Sequence, residues 1–198
     1  MAKMFDEQDQ KRIRHLIFET GFDLIRENGY KATTVEDITQ KVGIAKGTFY
    51  TFFTSKEDFV TALLVWQHDR FYEHIESEMK KDAISDDVRI HRALMDIAGN
   101  SGRRFFFLRP AEQQEIKKTL SEEKWAAFKS GELEFYSRIV KLFGKDPEVC
   151  KPEVVCNLLM SLLVNIYAPE HIPFSFGDTM KDTVFYQAHM LFHYIVTH

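Results

Sequence analysis

The chain has 198 residues, of which 44 % are hydrophobic and 28 % are charged, and its net charge is −4. This acidic balance argues against a generally basic nucleic-acid binder. No apolar stretch reaches the ~20 residues of a membrane-spanning helix. The two cysteines, Cys150 and Cys156, match neither a zinc spacing nor a CxxC pair. We therefore expect a cytoplasmic protein in a reducing compartment, with no membrane partner.

Apolar residues recur at helical spacing along the chain, and no strand-type alternation is visible, which predicts an all-α fold of about nine helices. Gly29 is a good residue to end the first helix, and Gly43 breaks the second from the third. Thr34 with Asp37 three residues later resembles a capping box and opens the second helix. The first three helices are predicted at 6–28, 35–42 and 46–52.

Longer helices follow in the rest of the chain. Ser55 is a predicted N-cap of the fourth helix, which extends to about Lys80. The segment from 100 to 116 is less regular, and no helix is predicted there. The remaining helices are predicted at 87–99, 121–143, 153–167 and 179–196.

The second and third helices form a predicted helix-turn-helix, a unit whose second short helix enters the major groove of DNA. Phe49 and Phe53 are four residues apart and should pack the third helix inward. The stretch from Ile38 to Lys56 contains three lysines and no acidic residue. A basic surface beside an otherwise acidic body suits a protein that touches phosphate along one edge.

The polar face of the third helix carries a cation and three hydroxyls, which suit phosphate oxygens and base edges. The glycine beside them permits close approach of the backbone to DNA. A helical hairpin with a solvated lysine face is the alternative interpretation. The coincidence of turn, apolar spacing, polar face and acid-free stretch favours DNA binding. The expected DNA-contacting residues are Thr34, Lys46, Gly47, Thr48, Tyr50, Thr51, Phe52 and Lys56.

The stretch TTVEDITQKVGIAKGTFYTFFTSKEDF resembles the DNA-binding segment of the TetR family of bacterial transcriptional regulators. The likeness covers about residues 9–60 and includes the entry GYKATT and the signature KGTFYTFFTSKE. It implies a three-helix DNA-binding domain at 1–54 and a larger helical effector-binding and dimerisation domain at 55–198. The implied function is a ligand-responsive regulator, most often a repressor that a small, largely apolar or aromatic effector releases from a palindromic double-stranded operator.

The resemblance also implies that the last two helices pair with their copies to form a homodimer. An effector pocket would lie between helices five to eight. For any single candidate, ordinary core packing is the competing interpretation. The candidate lining residues are Met95, Phe105, Phe106, Phe107, Trp125, Phe128, Phe135, Tyr136, Met160 and Tyr167.

Other functions leave weaker signals in the sequence. His189 and His193 have a metal-compatible spacing, but no third ligand is evident, so neither a metal site nor a cofactor is predicted. No nucleophile–base arrangement, phosphate-cradling loop or catalytic residue is visible, which argues against an enzyme carrying a vestigial helix-turn-helix. A DNA-binding protein without an effector, acting constitutively or through a protein partner, remains the main alternative.

Overall fold

A computed structural model of the chain describes residues 6–82, 85–100, 108, 110–167, 169, 172 and 176–198. Over these residues the structure is helical and contains no strand, so the predicted all-α class is confirmed. A 3₁₀ turn at Gly177–Thr179 precedes the last helix. The helices are α1 Glu7–Asn28, α2 Val35–Val42, α3 Lys46–Phe52, α4 Lys56–Met79, α5 Asp86–Asn100, α6 Pro110–Thr119, α7 Glu122–Leu142, α8 Pro152–Tyr167 and α9 Met180–Thr197.

Local side-chain chemistry explains where α2 begins and ends. The Thr34 hydroxyl accepts from the Asp37 backbone N–H at 3.1 Å, and the Asp37 carboxylate accepts from the Thr34 N–H at 2.8 Å. This reciprocal pair confirms the predicted capping box. Gly43 has φ 77°, a left-handed conformation that favours glycine, and it ends α2. Helix α2 is therefore fixed at both of its ends.

Helix α6 is the element that sequence prediction missed, since no helix was expected between residues 100 and 116. Its sequence, PAEQQEIKKT, is too polar to present an amphipathic stripe. Ile116 is its one buried apolar side chain in the described chain, at 1 % exposure. Terminal signals are nevertheless present, because Pro110 occupies the first helical position and two lysines lie in the last turn.

The structure divides into two compact units. The first comprises Met1–Gln67 with Phe106–Trp125, and the second comprises His68–Phe105 with Ala126–His198. This division differs from the expected limits at 1–54 and 55–198, because the first half of α4 packs with α1 to α3. Phe59, Val60 and Leu63 from that half are completely buried in the same core as Ile17 and Ile38. The functional domain limits remain a prediction.

The second unit has an apolar core of its own. None of the described helices is both long and apolar enough to cross a bilayer. In α9, Leu191 and Ile195 are buried while Phe185 and Met190 are exposed, so apolar residues lie on two sides of this helix. The largest buried side chains of this unit include Ile75, Ile90, Leu162, Leu191 and Ile195.

Candidate DNA-binding surface

An aromatic cluster holds the inner face of α3. Phe49 is 0 % exposed and Phe53 is 3 % exposed, so the predicted inward face of the helix is confirmed. Their ring centroids lie 5.4 and 5.1 Å from that of Phe59 on α4. Phe18 of α1 adds a ring 5.5 Å from Phe53. Packed aromatic rings stabilise a fold by more than their buried area alone provides. Because these rings hold one side of α3, the opposite side of the helix faces outward.

The outward face of α3 carries the predicted polar side chains. Lys46, Gly47, Tyr50 and Thr51 are exposed, and Thr48 is half-buried. The Thr51 hydroxyl donates to the Thr48 carbonyl at 2.6 Å, which orients its oxygen along the helix. The Tyr50 ring meets Phe49 edge-on at 5.5 Å and is 46 % exposed. An ammonium, two hydroxyls and a phenol are thus brought together on one short helix.

Gly47 lies at an open position on this face. A Cβ added there would meet no atom within 4 Å, and the residue has no positive φ. Neither packing nor backbone conformation therefore requires glycine at this position. Close approach by an external molecule is a sufficient reason for the missing side chain.

An acidic side chain from α2 reaches the same face. The Lys46 ammonium forms an ion pair with the Glu36 carboxylate. This hydrogen bond raises the pKa of Lys46 and lowers the pKa of Glu36. The stretch from Ile38 to Lys56 contains no acidic residue. In the folded protein, however, the Glu36 carboxylate from the first turn of α2 lies on the same surface. Sequence reasoning missed this contact, although the acidic first turn of α2 was its signal.

Three predicted DNA-contacting residues have structural partners. Thr34 is occupied in the capping box, and Phe52 is half-buried against the core of the first unit. The Lys56 ammonium donates to the Tyr30 carbonyl at 2.6 Å and lies 4.1 Å from the centre of the Tyr30 ring. Burial lowers the pKa of Lys56. Contacts of these three residues with DNA remain predictions, as they do for the exposed residues of α3.

The predicted pocket residues are distributed over both units. Trp125 belongs to the first unit, whereas the other candidates that the structure describes belong to the second. Phe105, Phe106 and Phe107 lie outside the described residues, and so does the side chain of Tyr167. Phe135 and Tyr136 are buried neighbours with ring centroids 5.0 Å apart. The half-buried candidates are Met95, Trp125, Phe128 and Met160.

A small apolar crevice lies elsewhere in the second unit. It encloses about 10 Å³, roughly the space for one water molecule. None of the predicted pocket residues whose side chains the structure describes lines it. Its walls are Phe71, Ile75, Leu94, Ile97, Ile139, Phe143, Val155, Leu159, Leu191 and Ile195.

The second unit also contains an unpredicted polar pair on α4 and α7. His68 Nε2 lies 3.3 Å from Glu132 Oε1, and the His68 ring stacks on Phe135 with centroids 4.2 Å apart. Burial lowers the pKa of His68 to about 4 and raises the pKa of Glu132 to about 7. Desolvation disfavours the charged form of each group, which moves the pKa of the imidazole down and that of the carboxyl up.

Comparison with known proteins agrees with the geometry of α2 and α3. Residues 17–63 match the family described as "Bacterial regulatory proteins, tetR family". The fatty acid metabolism regulator protein of Bacillus subtilis (strain 168) is 33 % identical over 79 residues, which are 39 % of this chain and 41 % of that protein. The chain thus spans less than half the length of this curated relative.

Solved structures resemble the whole described fold. A TetR transcriptional regulator from Rhodococcus sp. RHA1 aligns over 92 % of this chain and 97 % of its own, with TM-score 0.59 and 20 % identity. The fatty acid degradation regulator FadR from Bacillus halodurans aligns over 91 % and 94 %, with TM-score 0.57 and 16 % identity. At these identities the likeness shows the fold alone.

The described chain combines a helix-turn-helix, whose second short helix is exposed, with further α-helices. Its residues 17–63 are a segment of the type found in bacterial regulatory proteins of the tetR family. The described residues contain no group of three or more His, Cys, Asp or Glu side chains that could hold a metal ion.

Proposed function

We propose that this protein is a ligand-responsive transcriptional repressor. As a homodimer it would place two copies of α3 in successive major grooves of a palindromic operator, about 34–36 Å apart. A small, largely apolar or aromatic molecule bound in the second unit would release it. Helix α4 belongs to the first unit at its start and to the second at its end, so a tilt of α4 would change the separation of the recognition helices.

The observation that carries this proposal is the division of α3 into two faces. Buried Phe49 and Phe53 fix the helix, while Lys46, Gly47 and Tyr50 remain exposed on its other side. A short helix held by aromatic rings, with an ammonium, hydroxyls and a glycine directed outward, suits the width and chemistry of the major groove.

Exposed apolar residues on α9 support the homodimer. Phe185, Tyr186 and Met190 are 50 %, 68 % and 64 % exposed, although the helix buries its other side. Large apolar side chains left on a helix face favour association with another apolar surface. A two-fold axis beside α8 and α9 would match the symmetry of a palindromic operator. Replacing Tyr186 by Arg should give a monomer by light scattering and weaken operator binding.

The effector proposal draws on the apolar interior of the second unit. Two relatives are named as regulators of fatty acid metabolism or degradation, so fatty acids belong among the first compounds tested. A long apolar ligand would require the crevice beside Phe71 and Leu159 to widen. Ligand binding would then be coupled to a rearrangement of the helices around it.

The experiment begins with selection of bound sequences from random double-stranded DNA. Fluorescence anisotropy on the selected duplex then measures affinity with and without each compound. A repressor of the proposed kind selects a palindrome and loses affinity when its effector is added. Selection of no sequence, with equal affinity for all duplexes, would contradict the proposal.

A second candidate function is DNA binding without a small-molecule effector. The crevice in the described part of the second unit encloses only about 10 Å³, whereas drug-sized ligands occupy pockets of about 300–1,000 Å³. A thermal-shift screen separates the two candidates, because a bound ligand raises the unfolding midpoint by mass action. A compound that raises the midpoint and weakens DNA binding supports the repressor.

A further inference from the structure

Two histidines from different helices converge in the second unit. His91 lies on α5 and His189 on α9, and their Nε2 atoms are 3.4 Å apart. This is long for a hydrogen bond, whose heavy atoms typically lie about 3 Å apart. The ring centroids are only 5.1 Å apart, with an interplanar angle of 71°. Rings joined end to end along a straight bond would hold their centroids farther apart, so the two rings meet at an angle that allows both nitrogens to face one ion.

A hydrogen bond at Nδ1 of His189 determines the protonation of Nε2, the nitrogen that faces His91. Nδ1 of His189 lies 3.0 Å from the backbone carbonyl oxygen of Phe185. A carbonyl only accepts, so Nδ1 carries the proton and Nε2 of the neutral ring presents its lone pair to His91. A backbone carbonyl that orients the second ring nitrogen in this way is the usual support of a metal-binding histidine.

The separation of the two nitrogens matches that of ligands on one metal ion. Zn²⁺ binds imidazole nitrogen at about 2.0–2.1 Å, and tetrahedral geometry then separates two such nitrogens by about 3.3–3.4 Å. The observed 3.4 Å needs little rearrangement. Aromatic rings hold the two imidazoles in place, with Phe192 5.3 Å from His91 and Phe185 4.2 Å from His189.

We propose that His91 and His189 bind one divalent transition-metal ion of the Zn²⁺ class, with water in the remaining positions. Both imidazoles are half-buried, so an ion can reach them from solvent. With only two protein ligands in the described part of the chain, the ion is exchangeable. It links α5 to α9 across the second unit. The proposal does not depend on DNA binding or on a small-molecule effector.

The test uses the untagged full-length chain, because an affinity tag rich in histidine would bind the same ions. Zn²⁺ is titrated by calorimetry and by thermal unfolding, and Co²⁺ by its visible absorption, which reports coordination geometry. The variants are His91→Ala, His189→Ala and His91→Phe, the last of which keeps an aromatic ring against Phe192. The matched control is His193→Ala, one turn further along α9 and exposed.

The expected result is a Zn²⁺-dependent rise in the unfolding midpoint of the wild type and of His193→Ala. The three variants of His91 and His189 should bind Zn²⁺ at least tenfold more weakly and show no Co²⁺ spectrum. Equal binding by all variants would overturn the proposal. Loss of binding in His193→Ala with retention in His91→Phe would also overturn it, because the ligands would then both lie on α9.

Discussion

Lys46 of α3 forms an ion pair with Glu36 of α2 on the face that we propose for DNA. In the free protein the ammonium most suited to a phosphate therefore already has a carboxylate partner. Binding DNA would exchange this partner for a phosphate and leave Glu36 beside the polyanion. The Glu36 carboxylate therefore competes with DNA phosphates for the Lys46 ammonium.

Replacing Glu36 by Gln should tighten DNA binding by roughly two- to fivefold per protomer, because it removes this competitor from an exposed pair. Fluorescence anisotropy on the selected duplex measures the change. The same substitution in a Lys46→Ala background separates two causes. If the gain disappears there, Glu36 acts through Lys46. An equal gain in both backgrounds would show that the ion pair is irrelevant to affinity.

Gly47 should tolerate alanine in folding but not in binding. A Cβ there meets no atom within 4 Å, and alanine is favoured over glycine in a helix by about 0.5–1 kcal/mol. We expect unchanged or slightly raised stability in urea and a tenfold or greater loss of DNA affinity. Gly131, in α7 of the second unit, is the matched control because its Cβ position is also empty. Gly131→Ala should keep full DNA affinity, and an equal loss in both variants would contradict the assignment.

Gly21 is the opposite case, because a neighbouring ring fills the space that a side chain at this position would occupy. A Cβ at this position of α1 would lie 2.3 Å from Cζ of Phe59 on α4. Gly21→Ala should lower the free energy of unfolding by about 1–3 kcal/mol, the range for an overpacked core. Phe59→Leu removes the outer ring atoms, so the double variant should lose less stability than the two single losses combined. Strict additivity in urea unfolding would contradict this close contact.

The helices and the seating of α3 were predictable because they rest on local signals. The Thr34–Asp37 capping box, the glycine turn at Gly43 and the four-residue spacing of Phe49 and Phe53 are all visible in the sequence. Contacts between distant positions were not predictable. The pairing of Lys46 with Glu36 and of His91 with His189 depends on how helices pack, which periodicity does not specify.

Helix α6 and the residues around the crevice were also not predictable from the periodicity and composition of the sequence. A polar helix with one buried apolar residue, Ile116, gives no stripe to recognise. The aromatic residues expected to line a pocket were chosen by composition, and composition does not specify which side chains surround a given space. The crevice in the described part of the second unit is walled largely by aliphatic residues, and the pocket residues remain a prediction.

Glu132 should make stability depend on pH. Burial raises its folded pKa to about 7 from 4.5, so the stability present below about pH 4.5 is lost as pH rises through 7. Glu132→Gln should therefore stabilise the protein at pH 8 by about 1–3 kcal/mol, with little effect at pH 4.5. Urea unfolding at the two pH values measures the difference. An equal effect at both pH values would contradict the raised pKa.

The central claim is that the exposed face of α3 binds DNA. The most direct test measures the affinity of the wild type and of Lys46→Ala for the selected duplex over a range of salt concentrations. If each protomer of a dimer uses Lys46 to neutralise one phosphate, the variant binds more weakly. The slope of log affinity against log salt then falls by about two. Unchanged affinity and slope in a variant with wild-type circular dichroism would contradict the claim.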